Sequence, residues 1–147
     1  MGRQEFSCEI RAEGILWREN DAHQIDIEKG CQMADKNEFM VLIKSPGFGE
    51  GEPDLGEKLM QSFMQMLLEA DSIPDRMVFM NTGIFLTTEG SALVDLIRKF
   101  ADKETEVLTC STCLAYYNRE SKLAVGQTTN MKDTVGALLN YRRVITI

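Results

Sequence analysis

The fold is decided by the stretch FMVLI at residues 39–43, five apolar residues in an unbroken row. A strand with one face in solvent alternates apolar and polar residues, whereas a strand buried on both faces is apolar throughout. Strands of the second kind belong to parallel sheets that carry helices on their faces. The stretch therefore predicts a central strand of an α/β sheet.

A helix is predicted after this strand, beyond an acidic, glycine-rich loop at residues 45–54. Its apolar residues recur at helical spacing and form the expected inner face: Leu55, Leu59, Phe63, Leu67 and Ala70. Asp54 is expected to cap the helix, and Glu57 completes a capping box three residues later. The strand and the helix together make one βα unit.

The rest of the chain repeats this alternation. Further strands are predicted at residues 77–80, 106–109, 123–125 and 144–147, and further helices begin after Ser91 and Asn130, the expected caps. Their inner faces are expected to be Leu93, Leu96, Ile97 and Phe100 in one helix, and Met131, Val135, Leu138 and Leu139 in the other. The pattern predicts a mainly parallel five-stranded sheet whose strand-to-helix loops all lie at its carboxyl edge.

The first part of the chain follows another pattern. Ile10 and Ala12, and again Ile25 and Ile27, alternate with polar residues, which predicts a short, half-exposed β hairpin. We therefore divide the chain into an N-terminal extension, residues 1–38, and an α/β domain, residues 39–147. A total of 147 residues is the usual size of a single domain.

Composition narrows the classes of function. The formal net charge of −7 disfavours nucleic-acid binding, which needs clustered Lys and Arg. No apolar run approaches the ~20 residues of a membrane span, and residues 1–6 lack the apolar stretch of a secretory signal. The four cysteines are too few and too scattered for a disulfide framework. A cytoplasmic protein is expected, with no nucleic acid and no membrane as partner.

Cys110 and Cys113 carry the strongest chemical signal, because a C-x-x-C pair lies between a strand and a helix start. Free N–H groups at a helix N-terminus stabilise a thiolate, which is the reactive form of cysteine. Cys110, at the strand end, is the expected nucleophile. Cys113, one turn later, is the expected resolving thiol.

Neighbouring residues are candidates for substrate binding. Ser111 and Thr112 lie inside the cysteine turn, and Asn81, Thr82 and Gly83 follow the preceding strand at the same sheet edge. A plain turn is the alternative for the second group. The loop at residues 46–51 lacks a phosphate-binding motif and is expected to be an acidic rim of the site or of an interface.

The two cysteines are also compatible with roles that need no nucleophile. Free cysteine is among the most buried residue types, so both thiols could simply pack. A closed zinc site needs four ligands, and His23 is the only histidine, so no metal and no cofactor are expected. A dithiol redox switch is a further alternative.

Three motifs, LTCSTCL at residues 108–114, TTEGS at 87–91 and GQTTNM at 126–131, resemble the YedF-type proteins of the DsrE/DsrF-like family. The resemblance covers residues 39–147 and implies a three-layer α/β/α sandwich, a homo-oligomer (trimer or hexamer) and a link to sulfur relay or selenium metabolism. By motif position Cys110 matches the cysteine that carries a persulfide, and Cys113 matches the second cysteine of the turn. Ser111 stands where the family often has glycine.

The resemblance also implies a function. The chain is expected to be a sulfur (persulfide) or selenium carrier, sulfurtransferase-like, with donor and acceptor proteins as partners. Residues 1–38 are similar to the last strands of a TusA-like module but lack its Cys-Pro motif, so the donor is expected to be another chain. The alternatives are a non-catalytic assembly or regulatory subunit with packed cysteines, and the dithiol switch.

Overall fold

The computed structural model describes residues 38–147 and confirms the α/β fold. Its five strands are all parallel and lie in the order β4-β3-β2-β1-β5. They are β1 Phe39–Ile43, β2 Arg76–Phe79, β3 Glu106–Cys110, β4 Gln127–Thr129 and β5 Arg143–Thr146. The predictions made for the N-terminal extension lie outside the described residues.

Four α-helices connect the strands: α1 Pro53–Glu69, α2 Val94–Asp102, α3 Ser111–Tyr116 and α4 Met131–Asn140. Two short 3₁₀ helices, Asn81–Leu86 and Glu120–Lys122, lie in the connections. Within residues 38–147, no helix is both long and apolar enough to cross a membrane.

The sheet is covered on both faces, as a three-layer sandwich requires. Phe39, Val41 and Ile43 of β1 point into a large core that α1 and α2 complete. Met40 and Leu42 point the other way, into a smaller core that includes Ala137 of α4. Because both sets of β1 side chains are buried, the unbroken apolar run at residues 39–43 is explained.

The predicted inner face of α1 is confirmed only in part. Phe63 and Leu67 are partly buried against the large core, as predicted. The fully buried positions, however, are Gly56, Met60 and Met64, while Leu55 and Leu59 are exposed. The flexible methionine side chains fill the space above the sheet. The predicted cap is also wrong, because α1 begins at Pro53 and the residue before it makes no capping hydrogen bond through its side chain.

The predicted inner face of α4 is wrong as well. Thr134 and Ala137 face the sheet, and the larger apolar residues expected there are exposed: Met131, Val135, Leu138 and Leu139. Small residues allow the helix to approach the sheet, which leaves the large ones on the outer side. The cap is confirmed, since the Asn130 side chain accepts a hydrogen bond from the Asp133 N–H at 3.0 Å.

Two other boundaries differ from the predictions. The fourth strand is not at residues 123–125 but at Gln127–Thr129, a polar edge strand in which only Thr129 is buried and which has no apolar run to reveal it. The chain enters it through Gly126, whose φ of 81° and closeness to the Val107 carbonyl admit only glycine. Helix α2 begins at Val94, and Ser91 instead accepts a hydrogen bond from the Leu93 N–H at 3.1 Å.

Candidate functional site

The candidate site lies where β2 and β3 end. These neighbouring parallel strands pair Phe79 with Thr109, so the segments after them leave the sheet at the same edge. The 3₁₀ helix that begins at Asn81 follows β2, and α3 follows β3. The prediction that these two segments meet is confirmed, because the Asn81 N–H donates a hydrogen bond to the Cys113 Sγ at 3.1 Å.

Cys110 is the last residue of β3 and the N-cap residue of α3. It is only 4% exposed, and its side chain makes no capping hydrogen bond. Its thiol is free rather than in a disulfide. The residue favoured as the nucleophile on sequence grounds is therefore one that a large reagent does not reach directly.

Cys113 lies one turn further on and is partly exposed, also as a free thiol. Burial is the largest cause of a raised pKa of the Cys113 thiol, and a hydrogen bond with Cys110 and electrostatic repulsion from it add to the rise. The Asn81 N–H acts in the opposite direction because it stabilises the thiolate. The two cysteines thus form one interacting pair, of which Cys113 is the accessible member.

Cys113 opens onto a pocket of about 460 Å³ at this edge of the sheet. The volume lies in the range of small-molecule sites. The wall is formed by one thiol, one cation, two aromatic rings and three further residues: Lys44, Met80, Asn81, Thr112, Cys113, Tyr116 and Tyr117. Of the residues predicted to bind substrate, Asn81 and Thr112 belong to this wall.

Asn81 connects the two segments that form the pocket. Its φ of 51° is in the left-handed region, which asparagine tolerates better than most residues. Its side-chain oxygen accepts a hydrogen bond from the Tyr117 hydroxyl at 3.2 Å, while its N–H reaches Cys113. The middle of α3 and its C-cap residue are therefore both tied to Asn81, two residues after the end of β2.

Thr82 and Gly83 do not line the pocket but hold one of its walls in place. The Thr82 hydroxyl and the Gly83 N–H both donate to the Lys44 carbonyl, at 3.3 and 3.2 Å. A Cβ on Gly83 would lie 2.5 Å from the Ile43 carbonyl oxygen, so only glycine fits there. Ser111, the first residue of α3, is exposed outside the pocket wall.

Sequence reasoning did not identify Lys44, Met80, Tyr116 or Tyr117 as site residues. Lys44 directly follows β1, and strand ends of a parallel sheet share one edge, so its position was the available signal. The tyrosines gave no comparable signal, because they are part of a short helix whose facing direction depends on tertiary packing.

A larger cavity of about 610 Å³ lies beyond the aromatic wall. Phe85 borders it and packs against Tyr117, with ring centroids 5.1 Å apart. Pro46 of the acidic loop borders this cavity and not the thiol pocket. Over the described residues, 38–147, no group of three or more His, Cys, Asp or Glu side chains is arranged to hold a metal ion.

Comparison with known proteins gives relatives by structure alone. No family model and no curated protein matches the sequence. The fold is similar to the crystal structure of the YchN protein from E. coli, with a TM-score of 0.59 and 15% identity over 75% of this chain and 99% of that one. It is also similar to MTH1491 from Methanobacterium thermoautotrophicum, a protein of unknown function, with a TM-score of 0.55 and 11% identity over the same shares of the two chains.

These similarities define a class of fold. This chain shares with both structures its fold, a parallel α/β sheet covered by helices. At such low identity the likeness establishes the fold and not the activity.

Proposed function

We propose that this protein is a sulfur carrier of the sulfurtransferase-like kind, in which the Cys110–Cys113 pair holds a sulfane sulfur. The observation that carries the proposal is the arrangement of the two thiols. Cys113 faces a small-molecule-sized pocket, and Cys110 lies buried one helical turn before it, close enough to raise the pKa of the Cys113 thiol. The YedF-type motif around these cysteines supports the same proposal.

The exposure of the two thiols sets the order of transfer. A donor persulfide R–S–SH reaches Cys113 first, whose thiolate attacks the outer sulfur and releases R–S⁻. The Cys110 thiolate then attacks the outer sulfur of the Cys113 persulfide and becomes the persulfide itself, while Cys113 leaves as a thiolate. The sulfur atom is thereby stored on the buried cysteine that the motif marks as the carrier, and it leaves by the reverse route.

The biological setting is part of the proposal. The donor and the acceptor are other proteins or small molecules in the cytoplasm, where reducing conditions keep both thiols free. The same pair would carry selenium in the same way, with selenium in the place of the outer sulfur. The exposed apolar side chains of α4 favour a homo-oligomer, because large exposed apolar patches mark protein contacts. The resemblance to the YedF-type proteins implies that it is a trimer or a hexamer.

Sulfur uptake by single-cysteine variants tests the proposal. The protein is incubated with a cysteine desulfurase and cysteine, and bound sulfane sulfur is measured by cyanolysis. We expect Cys113→Ser to abolish uptake, and Cys110→Ser to take up sulfur but to lose it quickly to added thiol. Cys8→Ser and Cys31→Ser are the matched controls and should behave as the parent does. Equal uptake by all four variants would contradict the proposal.

A dithiol redox switch is the second candidate, and the contact between Cys110 and Cys113 favours it. With a donor persulfide as the oxidant, the Cys113 thiolate would first take up the outer sulfur. The Cys110 thiolate would then attack the inner sulfur of the Cys113 persulfide, which forms one S–S bond and releases hydrosulfide. Mass spectrometry separates the two candidates, because a disulfide lowers the mass by two hydrogens whereas a persulfide raises it by one sulfur. A disulfide as the sole product of reaction with every sulfur donor would favour the switch.

A further inference from the structure

The thiol pocket carries a single charge. Among the described residues that line it, Lys44 is the only one with a basic side chain, and none has a carboxylate. Within residues 38–147, the ion pairs join other side chains, and no carboxylate pairs with the Lys44 ammonium. This ammonium group is thus available to a molecule that enters the pocket.

The backbone of Lys44 is held firmly at the pocket. Its N–H donates to the Ile147 carbonyl at 2.8 Å, and its own carbonyl accepts hydrogen bonds from Thr82 and Gly83. The close approach of Gly83 to Ile43 fixes the end of β1 from the other side. The backbone of Lys44 is therefore fixed by residues from three different parts of the fold, and from that point the exposed Lys44 lines the pocket.

Most of the pocket wall around Lys44 is uncharged. Met80, Tyr116 and Tyr117 make much of it apolar or aromatic, and no carboxylate is among the described residues that line it. The chain as a whole carries a net charge of −7, which repels anions from most of its surface. A cation in the wall of the same pocket as the thiol can attract an anion to an acidic protein.

We infer that Lys44 is the specificity-determining residue of the thiol pocket, and that the molecule reacting at Cys113 is a small organic sulfur compound with an anionic group, such as a carboxylate, next to its sulfur. This inference rests on the proposed function for the identity of the transferred atom. The recognition itself depends only on the geometry of Lys44, Cys113 and the aromatic wall.

Thiol-specific probes that differ only in charge test this inference. An alkyl methanethiosulfonate, R–S–SO2CH3, reacts with a thiolate to form a mixed disulfide with R–S and releases methanesulfinate, while the thiol proton goes to solvent. The anionic 2-sulfonatoethyl and the cationic 2-(trimethylammonium)ethyl reagents have the same reacting sulfur. Full-length protein with Cys110→Ser is used so that the adduct on Cys113 persists, and peptide mass mapping assigns each rate to Cys113.

The measured quantity is the ratio of the two rate constants at Cys113, anionic over cationic, which is independent of the thiolate fraction. We expect Lys44→Gln to lower this ratio by about fivefold or more, and Lys44→Arg to keep it within about twofold of the parent. Lys99→Gln on α2 removes the same charge away from the pocket and serves as the control, since Lys99 is exposed and does not line the wall.

Two results would overturn the inference: an unchanged ratio in Lys44→Gln, or an equal fall in Lys99→Gln. Neither result would decide the proposed carrier function, because sulfur uptake is measured separately by cyanolysis. The protein could also show a charge preference that depends on Lys44 and yet take up no sulfur. That result would support anion recognition by Lys44 and would contradict only the carrier function.

Discussion

The backbone N–H of Asn81 donates a hydrogen bond to the Sγ of Cys113 at 3.1 Å. This bond joins the segment after β2 to the helix after β3, and so it brings the ends of two neighbouring strands into one site. It also stabilises the Cys113 thiolate against the opposing effects of burial and of Cys110. The reactivity of Cys113 is therefore set by its two neighbours.

Replacing Cys110 should make Cys113 more acidic. Cys110 raises the pKa of the Cys113 thiol by a hydrogen bond and by electrostatic repulsion, so Cys110→Ala should lower that pKa while burial still opposes ionisation. The pH profile of iodoacetamide alkylation at Cys113 measures the change and should shift to lower pH. Asn81→Gly keeps the backbone donor and the left-handed φ, so its profile should match the parent. A shift to higher pH in Cys110→Ala would contradict this mechanism.

The same pKa shift has a consequence for stability. Because the folded state holds the Cys113 proton more tightly than the unfolded chain does, this contribution to the free energy of unfolding is complete below the ordinary thiol pKa. It is lost as the pH rises through the raised pKa. Urea unfolding at several pH values should show a smaller alkaline loss of stability in Cys113→Ala than in the parent.

A buried pair of hydroxyls near the site should respond unequally to substitution. The Thr109 hydroxyl of β3 donates to the Thr87 hydroxyl at 2.9 Å, and Thr87 donates in turn to the Ile84 carbonyl. Thr109→Val removes the first bond and leaves the Thr87 donor satisfied, at a cost of about 1 kcal/mol. Thr87→Val leaves the buried Thr109 hydroxyl without a hydrogen-bond partner and should lower the free energy of unfolding by about 1–3 kcal/mol. Equal losses by urea denaturation would argue against this hydrogen-bond assignment.

Two glycines should differ sharply when they are replaced by alanine. Gly126 has a φ of 81°, and a Cβ there would lie 2.4 Å from the Val107 carbonyl oxygen, so Gly126→Ala should destabilise the fold by about 3 kcal/mol or more. Gly136 lies within α4 with no atom within 4 Å of such a Cβ, and Gly136→Ala should stabilise the helix by up to about 1 kcal/mol. Thermal unfolding of both variants gives the comparison. Similar effects of the two substitutions would contradict the assigned backbone contacts.

The outer face of α4 should control self-association. Val135 and Leu139 are 44% and 80% exposed, and a charge at either position would oppose burial in a subunit contact. We expect Val135→Lys and Leu139→Lys to shift the protein to a smaller species in light scattering without lowering its stability. Asn140→Lys adds the same charge on the same helix outside this apolar group and should keep the parent's state. A monomeric parent would contradict the proposed oligomer.

Some parts of the molecule could be predicted from sequence because a local pattern has one physical cause. The apolar run of β1 is found only in a strand buried on both faces, and Asn130 is a favoured helix cap. The side of α1 and of α4 that faces the sheet could not be predicted in this way. Each of these helices has apolar residues on two sides, and only tertiary packing decides which side meets the sheet.

The site shows the same division. The sequence placed the Asn81 segment and the cysteine turn at the same edge of the sheet, because each follows a parallel strand, and in the structure the two segments are in contact. The exposure of each thiol could not be predicted. Cys110 and Cys113 lie only one helical turn apart, and the sequence pattern does not indicate which of them is buried. Lys44 and Tyr116 were missed because neither belongs to a motif. The position of Lys44 at the end of β1 was a signal that went unused, and the direction in which Tyr116 faces depends on tertiary packing.

The most direct test of the central claim is to locate the sulfur atom in the native protein. After incubation with a cysteine desulfurase and cysteine, free thiols and persulfides are trapped by alkylation, and the tryptic peptide of residues 104–119 is fragmented by mass spectrometry. We predict one additional sulfur on Cys110, with a smaller fraction on Cys113 that becomes the sole product in Cys110→Ser. A peptide that carries no additional sulfur on either cysteine, with any donor, would contradict the carrier function.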